Sequence, residues 1–148
     1  MKAKIFPALD ARLSYAYNSI CMAKERTEFE ACVKALKALG DGNRLRTAAL
    51  LAYSGRELCV CELVDALGES QYNVSRYLGA LYAAGMIRKE KKGRWAMYKL
   101  AERGPLNAYI VKMVRPKPCC GLIARDIASL KKRLALREKG VCVIGCGC

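Results

Sequence analysis

The hydrophobic period of this chain leaves helical spacing in one short stretch, and the position of that stretch constrains the fold more than any other feature. Up to about residue 84, apolar side chains recur at spacings of three and four; from Met86 to Leu100 they alternate. Residues 9 to about 39 form one helical stretch, with Phe29, Cys32, Val33, Leu36 and Leu39 as its apolar stripe and Gly40 as its stop. Asp41 is placed to cap a second helix, Asn43 to Tyr53, carried by Leu45, Ala48, Ala49 and Leu51 and ending near Gly55. Glu57 to Leu67 reads as a third helix, buried through Val60, Leu63, Val64 and Leu67, with Gly68 closing it. Ser70 then caps a fourth, Gln71 to Ala84, which turns Val74, Leu78 and Leu81 inwards.

Two short helices joined by a glycine-containing turn form a helix-turn-helix candidate. Met86 to Lys89 and Trp95 to Leu100 then read as a two-stranded hairpin with Gly93 at its tip. The expected class is therefore mainly α with a small β-hairpin wing, a winged helix-turn-helix. Trp95 and Tyr98 are expected to pack the hairpin. Beyond it, a helix beginning near Glu102 carries Leu106, Tyr109, Ile110 and Met113; Pro116 and Pro118 break it, and Ala124 to Lys139 forms a last, basic helix. Three regions follow: an N-terminal helical extension (1–30), the winged domain (31–115) and a cysteine-containing basic extension (116–148).

Charge gives the wing a task. Lys and Arg number 27 against 13 Asp and Glu, a formal net charge of +14, which points to a polyanionic partner such as nucleic acid or a lipid surface. The densest run, Arg88-Lys89-Glu90-Lys91-Lys92-Gly93-Arg94, falls on the hairpin tip. Lys91, Lys92 and Arg94 would approach phosphates or the minor groove while the preceding helix enters the major groove of double-stranded DNA. After the Ser70 cap, the polar positions near the N-terminus of that helix are Gln71, Tyr72, Asn73, Ser75 and Arg76; Ser70, Gln71, Asn73, Ser75 and Arg76 are the expected DNA contacts, with Asn73 and Arg76 carrying donors that could reach base edges or phosphates.

The chain holds nine cysteines and no histidine. Neither a signal-peptide pattern nor an apolar run of membrane-spanning length is visible, so a cytoplasmic setting is expected, where the cysteines are thiols available for metal or redox chemistry. Without histidine, a carboxylate pair in a recognisable setting or a phosphate-cradling loop, the usual catalytic constellations are missing, and an enzyme is not expected. Soft, thiophilic ions prefer thiolate to imidazole, which suits this composition. The cysteines nearest the DNA-reading helix are Cys59 and Cys61, one residue apart in ELCVCEL. Cys32 lies on an apolar stripe and is expected to be core. Cys142, Cys146 and Cys148 read as a tail that scavenges or hands over metal or is disordered, and these tail cysteines stay among the candidates for a further thiol ligand.

From Leu36 to Leu100 the chain resembles the ArsR/SmtB metal-sensing repressors. LKALGDGNRLRTAALL matches their opening helices, ELCVCELVDAL their metal helix, SQYNVSRYLGALYAAGMI their recognition helix and RKEKKGRWAMYKL their wing. The resemblance implies a homodimer, paired through terminal helices, that leaves operator DNA when a thiophilic ion binds. ELCVCEL is similar to the arsenite, antimonite, cadmium and lead branch, whose helix cysteines bind the inducer. In arsenite sensors of this type a third cysteine commonly follows three positions after the second, where this chain has Val64. Other members supply thiols from an N-terminal arm, where Cys21 lies, or from an adjacent pair after the wing, which Cys119 and Cys120 match. Tyr77 stands where the family usually has histidine, so docking mode carries over and base preference does not.

A mechanism follows from the spacing. Residues i and i+2 of a helix lie about 200° apart around its axis, so Cys59 and Cys61 would converge on one ion only by distorting the first turn. The dipole at that helix start, with Arg56 nearby, would leave the two thiols partly ionised. Distortion would shift the DNA-reading heads; a hundredfold loss of affinity needs only about 2.7 kcal/mol of coupling. The alternatives are a cadmium- or lead-responsive or thiol-redox repressor of the same fold, and a thiol-rich metal-scavenging protein.

Overall fold

A computed structural model describes residues 11–114 and 120–145. The described chain contains six helices and a three-stranded antiparallel sheet: α1 (Ala11–Leu39), α2 (Gly42–Ser54), β1 (Leu58–Cys59), α3 (Val60–Leu67), α4 (Gln71–Ala83), β2 (Ile87–Lys92), β3 (Trp95–Leu100), α5 (Asn107–Val114) and α6 (Gly121–Leu134). The order is that of a winged helix: α3 and α4 make the helix-turn-helix, and β2 and β3 make the wing.

Local chemistry sets the boundaries. The Asp41 carboxylate accepts a hydrogen bond from the Arg44 N–H at 2.9 Å, satisfying an otherwise orphaned donor at the start of α2. The Ser70 hydroxyl does the same for the Asn73 N–H at 3.2 Å at the start of α4. Between α3 and α4, Gly68 adopts φ +66°, where a side chain would be strained, and its N–H caps the Val64 carbonyl. In the wing, Lys92 pairs with Trp95, leaving Gly93, at φ +60°, and Arg94 as the turn.

One core joins the elements. Leu50 and Leu51 of α2, Leu58, Leu63 of α3, Val74, Leu78 and Leu81 of α4, and Met86 are fully buried, together with Ile123, Ile127 and Leu130 of α6. α6 lies against both α2 and α3. Asn107 pins the base of the wing, its amide nitrogen donating to the Met86 and Ala101 carbonyls at 2.8 and 2.7 Å.

Four expectations are corrected. The third helix does not begin at Glu57: Leu58 and Cys59 are extended and pair with Tyr98 and Met97 of β3, because this pairing satisfies their backbone and drops Leu58 into the core. The wing thereby gains a third strand, in the order β1-β3-β2. The helix after the wing starts at Asn107, not near Glu102, and α6 stops at Leu134, short of Lys139, because the chain then turns back through a Glu138–Val141 bridge. On α1 the buried positions are Ala35 and Ala38, whereas Phe29 and Leu36 of the expected stripe are 69% and 59% exposed. Small residues let α1 approach α2 closely, and the large ones face outwards.

Candidate functional site

β1 and the start of α3 hold the thiols. Cys59 is the N-cap of α3, with φ −86° and ψ 164°, so only Cys61 lies on the helix. The two sulfurs are therefore not i and i+2 on one helical rod, because Cys59 precedes the first turn of α3. Cys59 (1% exposed), Cys61, Met97 and Cys142 (2% exposed) form a small buried cluster of their own, with Trp95 against it. The Cys59 and Cys142 sulfurs lie 3.1 Å apart across 83 residues of sequence.

Cys142 reaches this position because two arginines hold the segment that follows α6. Arg137 donates to both carboxylate oxygens of Glu62, at 2.6 and 2.8 Å, and to the Glu57 carbonyl at 2.7 Å. Arg133 is paired with Asp65 and donates to the Ile144 carbonyl at 2.6 Å; its Nη2 lies 3.8 Å from the Cys142 sulfur. Glu62 also accepts the Cys59 N–H at 2.9 Å, closing a capping box at the start of α3. A Glu62 oxygen and the Cys59 and Cys142 sulfurs all lie within 4.8 Å of one another, a grouping that could hold a metal ion.

The electrostatics differ from the expectation of a partly ionised pair. Burial, followed by the contact with Cys142, pushes the Cys59 thiol well above its ordinary value, so it is held neutral. Burial alone would raise the Glu62 carboxyl as well, but the Arg137 guanidinium and the Cys59 N–H more than offset it and keep Glu62 ionised. Arg56, expected to assist the thiols, is exposed. The cation beside the sulfur pair is Arg133 instead.

A second polar network links α6 to the helix-turn-helix. Arg46 of α2 grips Asp126 of α6 through two hydrogen bonds, at 2.7 and 2.9 Å, and also donates to the Leu67 carbonyl and to the Asn43 side chain. Asn43 in turn donates to the Tyr77 hydroxyl at 3.0 Å and to Glu69 at 3.3 Å, and Glu69 accepts from Asn73 at 3.2 Å. Tyr77 thus ties α4 to α2, and Asn73 already has an intramolecular partner.

The remaining expected DNA-facing residues sit as follows. Gln71, Ser75 and Arg76 are exposed on α4, where Ser70 is the cap. Tyr72, 71% exposed with Arg76 over its ring, belongs to the same face and was passed over as a contact residue in the sequence. Lys91 and Arg94 are exposed on the wing, Arg94 lying over Trp95; Lys92 is exposed but ion-paired with Glu57 at 2.6 Å. Cys120 is exposed at the N-cap of α6, outside the buried sulfur cluster. Cys119, Cys146 and Cys148 lie outside the described residues, as does the side chain of Cys21. Among the described residues, no helix is long and apolar enough to cross a membrane.

Sequence reasoning missed Cys142, Arg133 and Arg137 as a group. Their only local signal was the apolar run Val141-Cys142-Val143 inside a charged C-terminal third.

Residues 41–89 match the family described as "Bacterial regulatory protein, arsR family". The chain is 45% identical to "Arsenic resistance transcriptional regulator ArsR1" of Pseudomonas putida, over 47% of this chain and 53% of that protein, so it spans about half of that regulator's length. It is 38% identical to "Arsenical resistance operon repressor" of Escherichia coli, over 55% of this chain and 68% of that one. Among solved structures, "Reduced HlyU from Vibrio cholerae N16961" is similar at 27% identity and a TM-score of 0.48, covering 63% of this chain and 87% of that one.

Proposed function

The chain belongs to the arsR family of bacterial regulatory proteins, and from that premise we propose a transcriptional repressor that binds operator DNA as a homodimer and releases it when arsenite or antimonite is captured by cysteine thiolates. The observation that carries this reading is the position of Cys59 and Cys61, buried at the entry to α3, the helix that immediately precedes α4 and its exposed face. Four elements would make the DNA surface: the capped N-terminus of α4 with Ser70, the side chains of Gln71, Ser75 and Arg76, Asn73 as the positioning tie to Glu69, and the wing cations Lys91, Lys92 and Arg94. Dimerisation is supported by the large apolar side chains that α1 and α5 leave outwards, among them Ile20, Met22, Phe29, Leu36 and Tyr109.

Release follows from the packing. α3 touches α6 on one side and α4 on the other, so an ion that pulls the sulfurs together shifts the support on which α4 is aimed. A hundredfold loss of operator affinity corresponds to about 2.7 kcal/mol. The test is fluorescence anisotropy of the dimer on duplex DNA selected from random sequence, titrated with arsenite, antimonite, cadmium, lead, zinc and peroxide, and repeated with Cys59→Ser, Cys61→Ser and Cys119→Ser/Cys120→Ser. Release by arsenite or antimonite that is lost with Cys59→Ser supports the reading; DNA affinity indifferent to every ion removes it.

The 3.1 Å sulfur separation favours one second reading, a redox repressor. Peroxide would oxidise the Cys59 and Cys142 thiols to one disulfide, both thiol protons leaving in the two waters to which the peroxide is reduced. Release by peroxide and by no ion would select it.

A further inference from the structure

We propose that Cys142, carried by the segment after α6, completes a three-sulfur site for a trivalent metalloid together with Cys59 and Cys61. The inference deepens the proposed function and rests on its reading that arsenite or antimonite is the inducer.

Geometry supplies the first argument. The Cys59 and Cys142 sulfurs lie 3.1 Å apart, and Cys61 is buried in the same cluster, its sulfur outside the group of ligand atoms that lie within 4.8 Å of one another. Two of the three ligands therefore stand together before the ion arrives, and the Cys61 sulfur moves in to complete the site. Glu62 is the other nearby donor, but Arg137 engages both of its oxygens and the Cys59 N–H occupies one of them again. A carboxylate used in that way is a strut for the site, and a soft ion prefers sulfur over it in any case.

Charge supplies the second. Among the described residues, the two arginines at the cluster are each paired, Arg133 with Asp65 and Arg137 with Glu62, so neither is an unpaired charge to neutralise an ion. Arsenite enters as neutral As(OH)3. Three As–O bonds break and three As–S bonds form, each thiol proton leaves with one hydroxide as water, and arsenic stays trivalent. The resulting complex is neutral, which a buried site tolerates better than the net negative tris-thiolate of a divalent ion.

Arg133 is the third argument. It is 95% buried, its Nη2 reaches the Cys142 sulfur and the Ile144 carbonyl, and its Nη1 has no acceptor among the described residues. Two fixed acceptors and one spare donor beside the sulfur hold Cys142 in position and leave a hydrogen bond available to a coordinated thiolate.

The test uses the full, reduced chain and arsenite. X-ray absorption should count three sulfurs on arsenic in the wild type and two sulfurs with one oxygen in Cys142→Ser. That variant should need about a hundredfold more arsenite for half-release of DNA, the upper end of what loss of a supporting group alone costs a metal site. Its affinity for DNA without arsenite should stay within about twofold of wild type, and Cys146→Ser/Cys148→Ser should change neither count nor response. Three sulfurs and an unchanged response in Cys142→Ser overturn the proposal. Three sulfurs in the wild type without DNA release leave the site standing and remove the functional reading instead. If Cys142→Ser does not bind DNA at all, peptic digestion of the wild-type adduct decides: arsenic bridging the Cys142 peptide to the Cys59–Cys61 peptide supports the site, and arsenic confined to the latter overturns it.

Discussion

Arg137→Met should destabilise the protein by several kcal/mol and reverse the sign of its local pH dependence. The substitution keeps most of the apolar stem and deletes the guanidinium, leaving a Glu62 carboxylate that is 0% exposed with the Cys59 N–H as its remaining partner. Removing one member of a buried pair costs about 3–5 kcal/mol, because the other charge stays buried. In a chain of this size that lowers the melting temperature by about 10 °C. In the wild type the folded Glu62 value is below the ordinary 4.5, so its contribution is present above that value and lost as pH falls through the lower folded one. In Arg137→Met burial dominates and raises the folded value above 4.5. The deficit relative to wild type is then smallest below pH 4.5 and grows as pH rises towards the new folded value. Urea denaturation of both proteins from pH 4 to 8 measures this directly, and Glu62→Gln/Arg137→Met should recover most of the loss at pH 7. A deficit under about 1 kcal/mol, or one that is flat across this range, would refute the claim that a buried ion pair holds the tail segment to α3.

Three further outcomes are expected. Asp126→Ala strands Arg46 and slackens the Asn43–Tyr77 tie to α4, so it should lower stability by about 3 kcal/mol by urea denaturation and weaken DNA binding even though Asp126 lies on α6. Lys91→Ala or Arg94→Ala should each lower the slope of log affinity against log salt by about 0.9 per protomer, about 1.8 for the dimer, whereas Lys92→Ala should lower it less, because Glu57 already engages that ammonium. Leu81→Ala empties a fully buried position between α4 and the core and should cost about 2–5 kcal/mol by thermal melting.

What the sequence determined by itself was whatever depends on near neighbours. Asp41 and Ser70 cap helices, Gly68 and Gly93 turn the chain, and Val74, Leu78 and Leu81 sit on one face because helical spacing puts them there. Those signals act over four residues or fewer, so they placed the helix-turn-helix and the wing in order and located Cys59 and Cys61 at its entry. The long-range pairings left no such mark. Whether Cys59 joined the helix or a strand depended on β3, almost forty residues later, whose Met97 and Tyr98 offered a ladder partner. Cys142 looked like tail because the groups that hold it are Arg133, which meets Asp65, and Arg137, which meets Glu62, and oppositely charged residues 68 and 75 apart carry no periodic trace. Only when α6 docks on α2 and α3 do these charges and sulfurs become neighbours. Local backbone preference decided the elements, and burial of one shared core decided which distant side chains would meet.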